Sequence, residues 1–234
     1  MKDFNKYFDH TLLRPDATEG DIAILCEEAC QYDFASVCVN GCFVREAYRL
    51  TRSLNRSLGS TVKVCAVAGF PLGASSTSVK VFEADRAVGD GASEIDVVMN
   101  IGEALTGRWD SVENEIRSIA EICHDGDALL KVILETCLLD DSQIAEACAR
   151  ATMAGADFVK TSTGFATPPE GIFPGATVHH VKLMRKSSGG KVSIKASGGI
   201  RSLHKALSLI EAGADRLGCS SSVSIMREYE ASQL

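Results

Sequence analysis

Residues 129–162 read LLKVILETCLLDDSQIAEACARATMAGADFVKTS, a helical pattern between two apolar runs. The runs, Leu129–Glu135 and Asp157–Ser162, have the length and the content of β-branched residues expected of buried strands. Between them, Asp141-Ser142 has the form of a helix start and Gly155 that of a helix end. A strand, a helix and a second strand within about 30 residues are typical of a unit with two parallel strands.

The same alternation extends along the rest of the chain. Strands are predicted at Phe8–Leu13, Ser36–Asn40, Val62–Ala68, Ser93–Asn100, Leu129–Glu135, Asp157–Ser162, Val192–Ser197 and Arg216–Ser220. Helical patterns separate them at Ile22–Tyr32, Phe43–Leu54, Val79–Val88, Trp109–Ile122, Asp141–Gly155, Val178–Lys186 and Leu203–Glu211. Eight strands with no linker or change of composition favour an α/β fold in which residues 1–234 form a single (β/α)8 TIM barrel with a short N-terminal extension.

A short repeated motif supports the barrel. Asp90-Gly91-Ala92-Ser93, Ala154-Gly155-Ala156-Asp157 and Ala212-Gly213-Ala214-Asp215 each lie between a helix and a strand, roughly two strand-helix units apart. The alternative is an open flavodoxin-like sheet, which normally has fewer strands. No G-x-G-x-x-G pattern follows the first strand to bind a dinucleotide.

Composition narrows the class of partner. The net charge is −7 and no basic run occurs, which disfavours binding to nucleic acid. Apolar runs such as residues 128–134 are shorter than the ~18 residues that span a membrane, and the N-terminus lacks the pattern of a secretory signal, so we expect a cytoplasmic protein. Nine cysteines without a Cys-x-x-Cys pair argue against a disulfide framework and a structural zinc site. Small molecules are the expected partners.

Ionisable residues interrupt four of the predicted strands. They are Asp96, Lys131 with Glu135, Lys160 and Lys195. Strands covered on both faces are normally apolar, so each charge is either half of a structural ion pair, a snorkelling side chain or a functional group. If the shared face of Asp96, Lys160 and Lys195 is the barrel interior, they project near the carboxyl-terminal rim, where barrel enzymes have their active sites.

Two lysines on neighbouring strands favour Schiff-base chemistry. A lysine amine is protonated at neutral pH, but a nearby ammonium group and partial burial both lower the pKa of a lysine. The free amine can form an imine with a carbonyl substrate, and loss of an adjacent proton then gives an enamine that attacks an aldehyde without a metal. Asp96 would transfer the protons, alone or through a water.

Histidines offer little support for a metal-dependent reaction. Of the five, only His10 lies in a predicted strand. His179 and His180 are adjacent on a predicted helix, and we expect their side chains to point in different directions. The sequence therefore predicts no metal site.

The last two strands end in glycine-rich segments. Ser197–Arg201 follows strand seven, and Gly218–Ser221 follows strand eight. Barrels commonly bind phosphate at this position, because glycine lets the backbone N–H groups approach an anion closely. The segments predict a phosphate ester as the substrate, with simple turns as the alternative.

Four segments together resemble the deoxyribose-phosphate aldolase family. They are Phe8–Leu13 (FDHTLL), Glu94–Asn100 (EIDVVMN), Phe158–Gly164 (FVKTSTG) and Lys195–Arg201 (KASGGIR). The resemblance extends from about Phe8 to Ser221. It implies a barrel enzyme that reversibly joins acetaldehyde to D-glyceraldehyde 3-phosphate, giving 2-deoxy-D-ribose 5-phosphate, with no metal or organic cofactor.

The resemblance also implies a role for individual residues. Lys160 would form the Schiff base, Lys195 would be the neighbour that lowers the pKa of that lysine, and Asp96 would transfer protons. Residues that match the phosphate loops are Gly164, Gly198, Gly199, Arg201, Gly218, Ser220 and Ser221. Cys38 matches a thiol near the substrate pocket. The expected partners are a sugar phosphate and aldehydes, with neither nucleic acid nor membrane, and the protein is a possible homodimer or homotetramer.

Two features depart from the family pattern. Residues 165–175 form a longer, more proline-rich segment than is usual, and Phe165 stands where some members have a lysine that touches the phosphate. The alternatives are another Schiff-base barrel lyase or aldolase, acting on a different phosphorylated or non-phosphorylated aldehyde pair, and a silent sugar-phosphate-binding protein. A purely structural protein would have no reason to place three charges inside barrel strands.

Overall fold

Eight parallel strands close into a barrel within residues 3–233, the part of the chain that the computed structural model describes. The strands are β1 Phe8–Leu12, β2 Ser36–Val39, β3 Lys63–Ala68, β4 Glu94–Val98, β5 Leu129–Ile133, β6 Phe158–Lys160, β7 Ser193–Ser197 and β8 Arg216–Cys219. Each strand pairs with the next one along the chain, and β8 pairs with β1. This closure confirms the predicted barrel and excludes the open sheet, whose two edge strands would stay unpaired.

Helices lie between the strands and cover the outside of the barrel. They are α1 Glu19–Gln31, α2 Val44–Leu58, α3 Thr77–Gly89, α4 Ile101–Leu105, α5 Trp109–Asp125, α6 Asp141–Met153, α7 Val178–Ser187, α8 Leu203–Glu211 and α9 Ser222–Ala231. The sequence pattern predicts all of these except α4 and α9. Capping boxes start α1, at Thr18 with Asp21, and α6, at Asp140 with Gln143. Over residues 3–233 no helix is long and apolar enough to cross a membrane.

Side-chain alternation divides each strand between two environments. In β4, Ile95 and Val97 belong to the main apolar core, whereas Asp96 is hydrogen-bonded to lysines of other strands across the barrel interior. The polar interior is therefore separated from the helix layer by a ring of apolar side chains. A second, smaller apolar cluster consists of Leu13, Cys38, Cys65 and Val67.

Three strands end two residues earlier than the sequence pattern predicts. β4 ends at Val98, and the side chain of Asn100 caps α4 by accepting a hydrogen bond from the Glu103 N–H at 3.1 Å. β5 and β6 likewise stop before Glu135 and Ser162. Glu135 has a left-handed φ of 55°, so the chain turns away from the sheet there, a change that an apolar run cannot reveal. The predicted N-terminal extension is a 3-10 turn at Phe4–Tyr7.

Candidate active site

Seven charged side chains meet inside the barrel and form what we call the ion cluster. Its members are Asp9 on β1, Glu94 and Asp96 on β4, Lys131 on β5, Lys160 on β6, Lys195 on β7 and Arg216 on β8. All are buried except Arg216, which is partly buried. The cluster therefore contains three carboxylates and four basic groups in a medium that screens charge poorly.

Asp96 is the centre of the ion cluster. Lys160 and Lys195 both donate to Oδ2 at 2.7 Å, and Lys131 donates to Oδ1 at 2.9 Å. The thiol of Cys65 lies 3.1 Å from Oδ1. Burial alone would raise the pKa of Asp96, but the three lysines hold it well below its usual value. Asp96 is therefore a carboxylate shared by three lysine side chains.

Asp9 holds Lys195 from the other side. The Nζ of Lys195 lies 2.5 Å from Asp9 Oδ2, and Asp9 also binds Arg216 at 2.5 Å and Ser36 Oγ at 2.7 Å. Burial would lower the pKa of Lys195, yet Asp9 and Asp96 outweigh burial and raise it. Lys195 is therefore a fixed positive charge beside Lys160.

Lys131 and Glu94 complete the ion cluster. Lys131 contacts Glu94 at 2.6 Å as well as Asp96, and burial, which would lower its pKa, is again outweighed by these carboxylates. Glu94 also lies 3.4 Å from Arg216. The sequence pattern puts Glu135 on the strand of Lys131, but the structure directs Glu135 elsewhere and gives Lys131 other partners.

The charge balance of the ion cluster singles out Lys160. Among the described residues it contacts one carboxylate, that of Asp96, whereas Lys131 and Lys195 each contact at least two. With every group ionised the ion cluster has one excess positive charge. Lys160 is therefore the amine of the ion cluster with the fewest ion pairs.

Lys160 also faces a cavity of about 310 Å³ at the carboxyl ends of the strands. The cavity is lined by Lys160, Thr163, Gly164, Phe165, Ser197, Gly198, Gly199, Arg201, Gly218 and Ser220, among others. A second cavity, of about 620 Å³, lies against α2 and α3 and contains no member of the ion cluster. The smaller cavity is therefore the candidate active site, since it joins a lysine to the glycine-rich strand ends.

Four of the residues that the resemblance selects do not line this cavity. Asp96 and Lys195 are fully buried and are linked to it through the contacts of Asp96 with Lys160. Ser221 precedes α9 and accepts the Ile225 N–H through its carbonyl group. Cys38 is fully buried in the smaller apolar cluster.

Packing also requires glycines at the strand ends. Gly198 and Gly199 have left-handed φ angles of 87° and 72°, and a side chain on Gly199 would overlap the ring of Phe173. A Cβ on Gly218 would lie 3.0 Å from Cε of Lys195. Gly218 therefore leaves room for the buried lysine, whatever its backbone binds.

Glu135 anchors the loop that follows Lys160. Its carboxylate accepts hydrogen bonds from the backbone N–H of Thr163 at 3.1 Å and from the Thr163 hydroxyl group, and this hydroxyl accepts from the Phe165 N–H at 3.0 Å. Burial raises the pKa of Glu135. Phe165 lines the cavity, and its ring meets that of Phe70 edge to face, with centroids 5.4 Å apart.

Two groups of side chains bring potential metal ligands within 4.8 Å of one another. The first is Cys38, Cys65 and Asp96, and there the ammonium groups of Lys131 and Lys195 beside Asp96 oppose a cation. The second is Asp141, His179 and His180 at the protein surface. The prediction that the two histidines point in different directions is therefore wrong. The two imidazole centroids are 5.5 Å apart, and one ligand atom of each ring lies within 4.8 Å of the other and of Asp141.

Sequence reasoning missed several members of the ion cluster. Asp9, Glu94 and Arg216 each lie inside a predicted strand, so the rule that selected Asp96 and the lysines also applies to them. All three are near the amino-terminal ends of their strands, where polar residues are ordinary. The sequence pattern does not indicate a role for Thr163, because its contact with Glu135 depends on the left-handed turn at Glu135.

Comparisons with known proteins show the family of this chain. The DeoC/LacD family aldolase model matches residues 4–227. Deoxyribose-phosphate aldolase 1 of Vibrio vulnificus (strain YJ016) is 51% identical over 222 residues, which are 95% of each chain. A deoxyribose-phosphate aldolase of Caldanaerobacter subterraneus subsp. tengcongensis is 50% identical over 226 residues, 96% of this chain and 93% of the relative.

A solved structure is similar to this chain in fold as well as in sequence. The tetrameric deoxyribose phosphate aldolase of Aeropyrum pernix superimposes with a TM-score of 0.85 and 34% identity, over 97% of this chain and 91% of that one. The match of sequence and fold covers nearly the whole chain. The chain therefore belongs to the DeoC/LacD family of aldolases.

Proposed function

We propose that this protein is a class I aldolase that reversibly cleaves 2-deoxy-D-ribose 5-phosphate to acetaldehyde and D-glyceraldehyde 3-phosphate through a Schiff base on Lys160. The observation that carries the proposal is the position of Lys160. It has the fewest ion pairs of the three lysines in the ion cluster, and it lines the cavity at the strand ends. Relatives at about 50% identity that carry the name of this activity support it.

Imine formation begins with the neutral amine of Lys160. The amine attacks C1 of the open-chain aldehyde, and loss of water gives a protonated imine. Lys195 is held as an ammonium group by Asp9 and Asp96, so it disfavours a second positive charge on Lys160 before the attack. Asp96 passes the proton that Lys160 releases on to solvent, directly or through a water, and is again a carboxylate when the amine attacks.

Carbon-carbon cleavage follows from the electron demand of the imine. A base removes the proton of the C3 hydroxyl group, the C2–C3 bond breaks, and its electron pair moves towards the imine nitrogen. D-Glyceraldehyde 3-phosphate leaves, and an enamine of acetaldehyde remains on Lys160. Protonation of the enamine carbon and hydrolysis then release acetaldehyde and the free lysine. We assign the proton transfers to Asp96, whose negative charge loses one of its three cations when Lys160 is neutral.

The phosphate group of the substrate would lie at the glycine-rich end of the cavity. Backbone N–H groups of Gly198 and Gly199, the start of α8 after Ser202 and the guanidinium group of Arg201 supply donors of the right type. Gly164, Gly218, Ser220 and Ser221 extend this phosphate region. Cys38 lies too deep in the smaller apolar cluster to touch the phosphate, so we assign it to packing beside the reacting carbons.

Borohydride trapping in the presence of a chelator tests the proposal. We expect reduction of the protein with 2-deoxyribose 5-phosphate to give one stable adduct, located on Lys160 by peptide mapping, and turnover to continue without free metal. A Lys160→Arg variant keeps the charge but cannot form the imine, so it should give neither adduct nor product. An adduct on Lys131 or Lys195 would contradict the assignment.

We also propose a homo-oligomeric, cytoplasmic protein. The tetramer of the Aeropyrum pernix relative supports a homodimer or homotetramer, which light scattering on the purified protein will measure. Nine free cysteines, eight of them buried, support a reducing compartment. Fractionation of cells that express the tagged chain tests the location.

A further inference from the structure

Two neighbouring helices bring three metal-ligating side chains together on the outside of the barrel. Asp141 is the first residue of α6, and His179 and His180 lie in the first turn of α7. One ligand atom of each lies within 4.8 Å of the other two. The Nε2 of His179 is 2.8 and 2.9 Å from the two oxygens of Asp141, and the two imidazole centroids are 5.5 Å apart.

The donor set is one that transition metals prefer. Two imidazole nitrogens and one carboxylate oxygen match the three protein ligands of many zinc sites, in which a water takes the fourth position. In a tetrahedral site with bonds of about 2.0–2.1 Å, ligand atoms are separated by about 3.3 Å. Small side-chain rotations would bring the present atoms to that separation, and Asp141 and His179 are exposed to solvent.

His180 provides an independent indication of a missing partner. Its Nδ1 atom is shielded from solvent and has no hydrogen-bond partner among residues 3–233. A buried polar nitrogen without a partner costs free energy that a bound ion or a water would recover.

We propose that Asp141, His179 and His180 bind one divalent transition-metal ion of the zinc class per chain. The ion joins α6 to α7, and it plays no part in the imine chemistry at Lys160. α7 follows Thr177, and the adjacent Ala176 N–H bonds the carbonyl groups of Ser197 and Gly198 at 3.0 and 3.1 Å. The ion therefore stiffens the end of the 165–175 segment that contacts the glycine turn.

Zinc titration of the full-length protein tests the site. After dialysis against a chelator, calorimetry with zinc chloride should show one ion per chain with micromolar affinity, and Zn²⁺ should raise the thermal unfolding temperature. Cobalt(II) should give the absorption bands of a four- or five-coordinate site. His179→Ala, His180→Ala and Asp141→Asn should each weaken binding by at least about tenfold, since each removes one of three ligands.

Two control variants separate this site from other surface ligands. His204→Ala removes an exposed histidine of α8, and Cys42→Ser removes the exposed cysteine, and both should bind Zn²⁺ as the unmodified protein does. Aldol activity in chelator should be the same in all variants, which also shows that they are folded. Absence of zinc binding by the unmodified protein, or equal binding by the His179→Ala/His180→Ala double variant, overturns the proposal and leaves the function proposed for Lys160 unaffected.

Discussion

Replacing Lys195 by methionine tests whether the ion cluster keeps Lys160 reactive. Methionine retains an unbranched stem beside Gly218, so the change removes a charge with little loss of packing. The nitrogens of Lys160 and Lys195 each lie 2.7 Å from the same Asp96 oxygen, so they are at most twice that distance apart. At roughly 5 Å and an effective dielectric constant of about 20, two unit charges repel by about 3 kcal/mol.

Loss of this repulsion favours the ammonium form of Lys160, which cannot attack a carbonyl group. We expect the acidic limb of the kcat/KM profile to move up by roughly two pH units, which lowers activity at neutral pH by roughly a hundredfold and restores much of it in alkaline buffer. A coupled assay of D-glyceraldehyde 3-phosphate release, run across pH, measures the shift.

Lys80→Met is the matched control for this change. Lys80 is also fully buried, but it pairs with Glu115 at 2.7 Å outside the ion cluster, so its loss should lower stability and leave the pH profile in place. A folded Lys195→Met variant with reduced activity and an unshifted profile would show that the charge of Lys195 does not govern Lys160.

Three further changes probe the surroundings of Lys160. Asp9→Asn leaves Lys195 and Arg216 short of a buried carboxylate, so urea unfolding at neutral pH should give a free energy of unfolding about 3–5 kcal/mol lower. Burial would raise the pKa of Asp9, but the neighbouring cations lower it. The difference in free energy of unfolding between the parent and Asp9→Asn should therefore shrink only as the pH falls through this depressed pKa. Burial raises the pKa of Glu135, so its carboxyl group stabilises the fold below its unfolded pKa, and this stability is lost as the pH rises through the raised pKa. The melting temperature of Glu135→Gln should therefore gain on that of the parent as the pH rises above about 4, and a constant difference would contradict this. Phe165→Lys should raise the preference for phosphorylated over free deoxyribose by roughly tenfold in kcat/KM, the effect of one charge-assisted hydrogen bond, and an unchanged preference would place the phosphate elsewhere.

Part of the candidate site could be predicted from charged residues that lie inside otherwise apolar strands. Lys160 and Lys195 stand out because a charged side chain in an apolar run needs a partner. Strand periodicity gives the face of each lysine within its own strand, and the register of β6 with β7 brings the two to the barrel interior. The same rule applies to Asp9 and Arg216, which pair although they are 207 positions apart in the chain. Their pairing requires β8 to return beside β1, and a local pattern contains no information about closure.

Local physical chemistry is sufficient for the elements of this protein. The signals for these elements each act over a few residues: strand and helix periods, glycine turns and the capping boxes at Thr18 and Asp140. The order of elements and the barrel class can therefore be derived from the amino-acid sequence. The contacts of the ion cluster join residues that are far apart in the sequence. Asp96 meets Lys195 across 99 positions, and which lysine is left with a single carboxylate depends on distances of 2.5 to 2.9 Å. Because ion pairing and hydrogen bonding decay within a few ångströms, only the closed barrel decides which of these charges meet and which amine stays free to react.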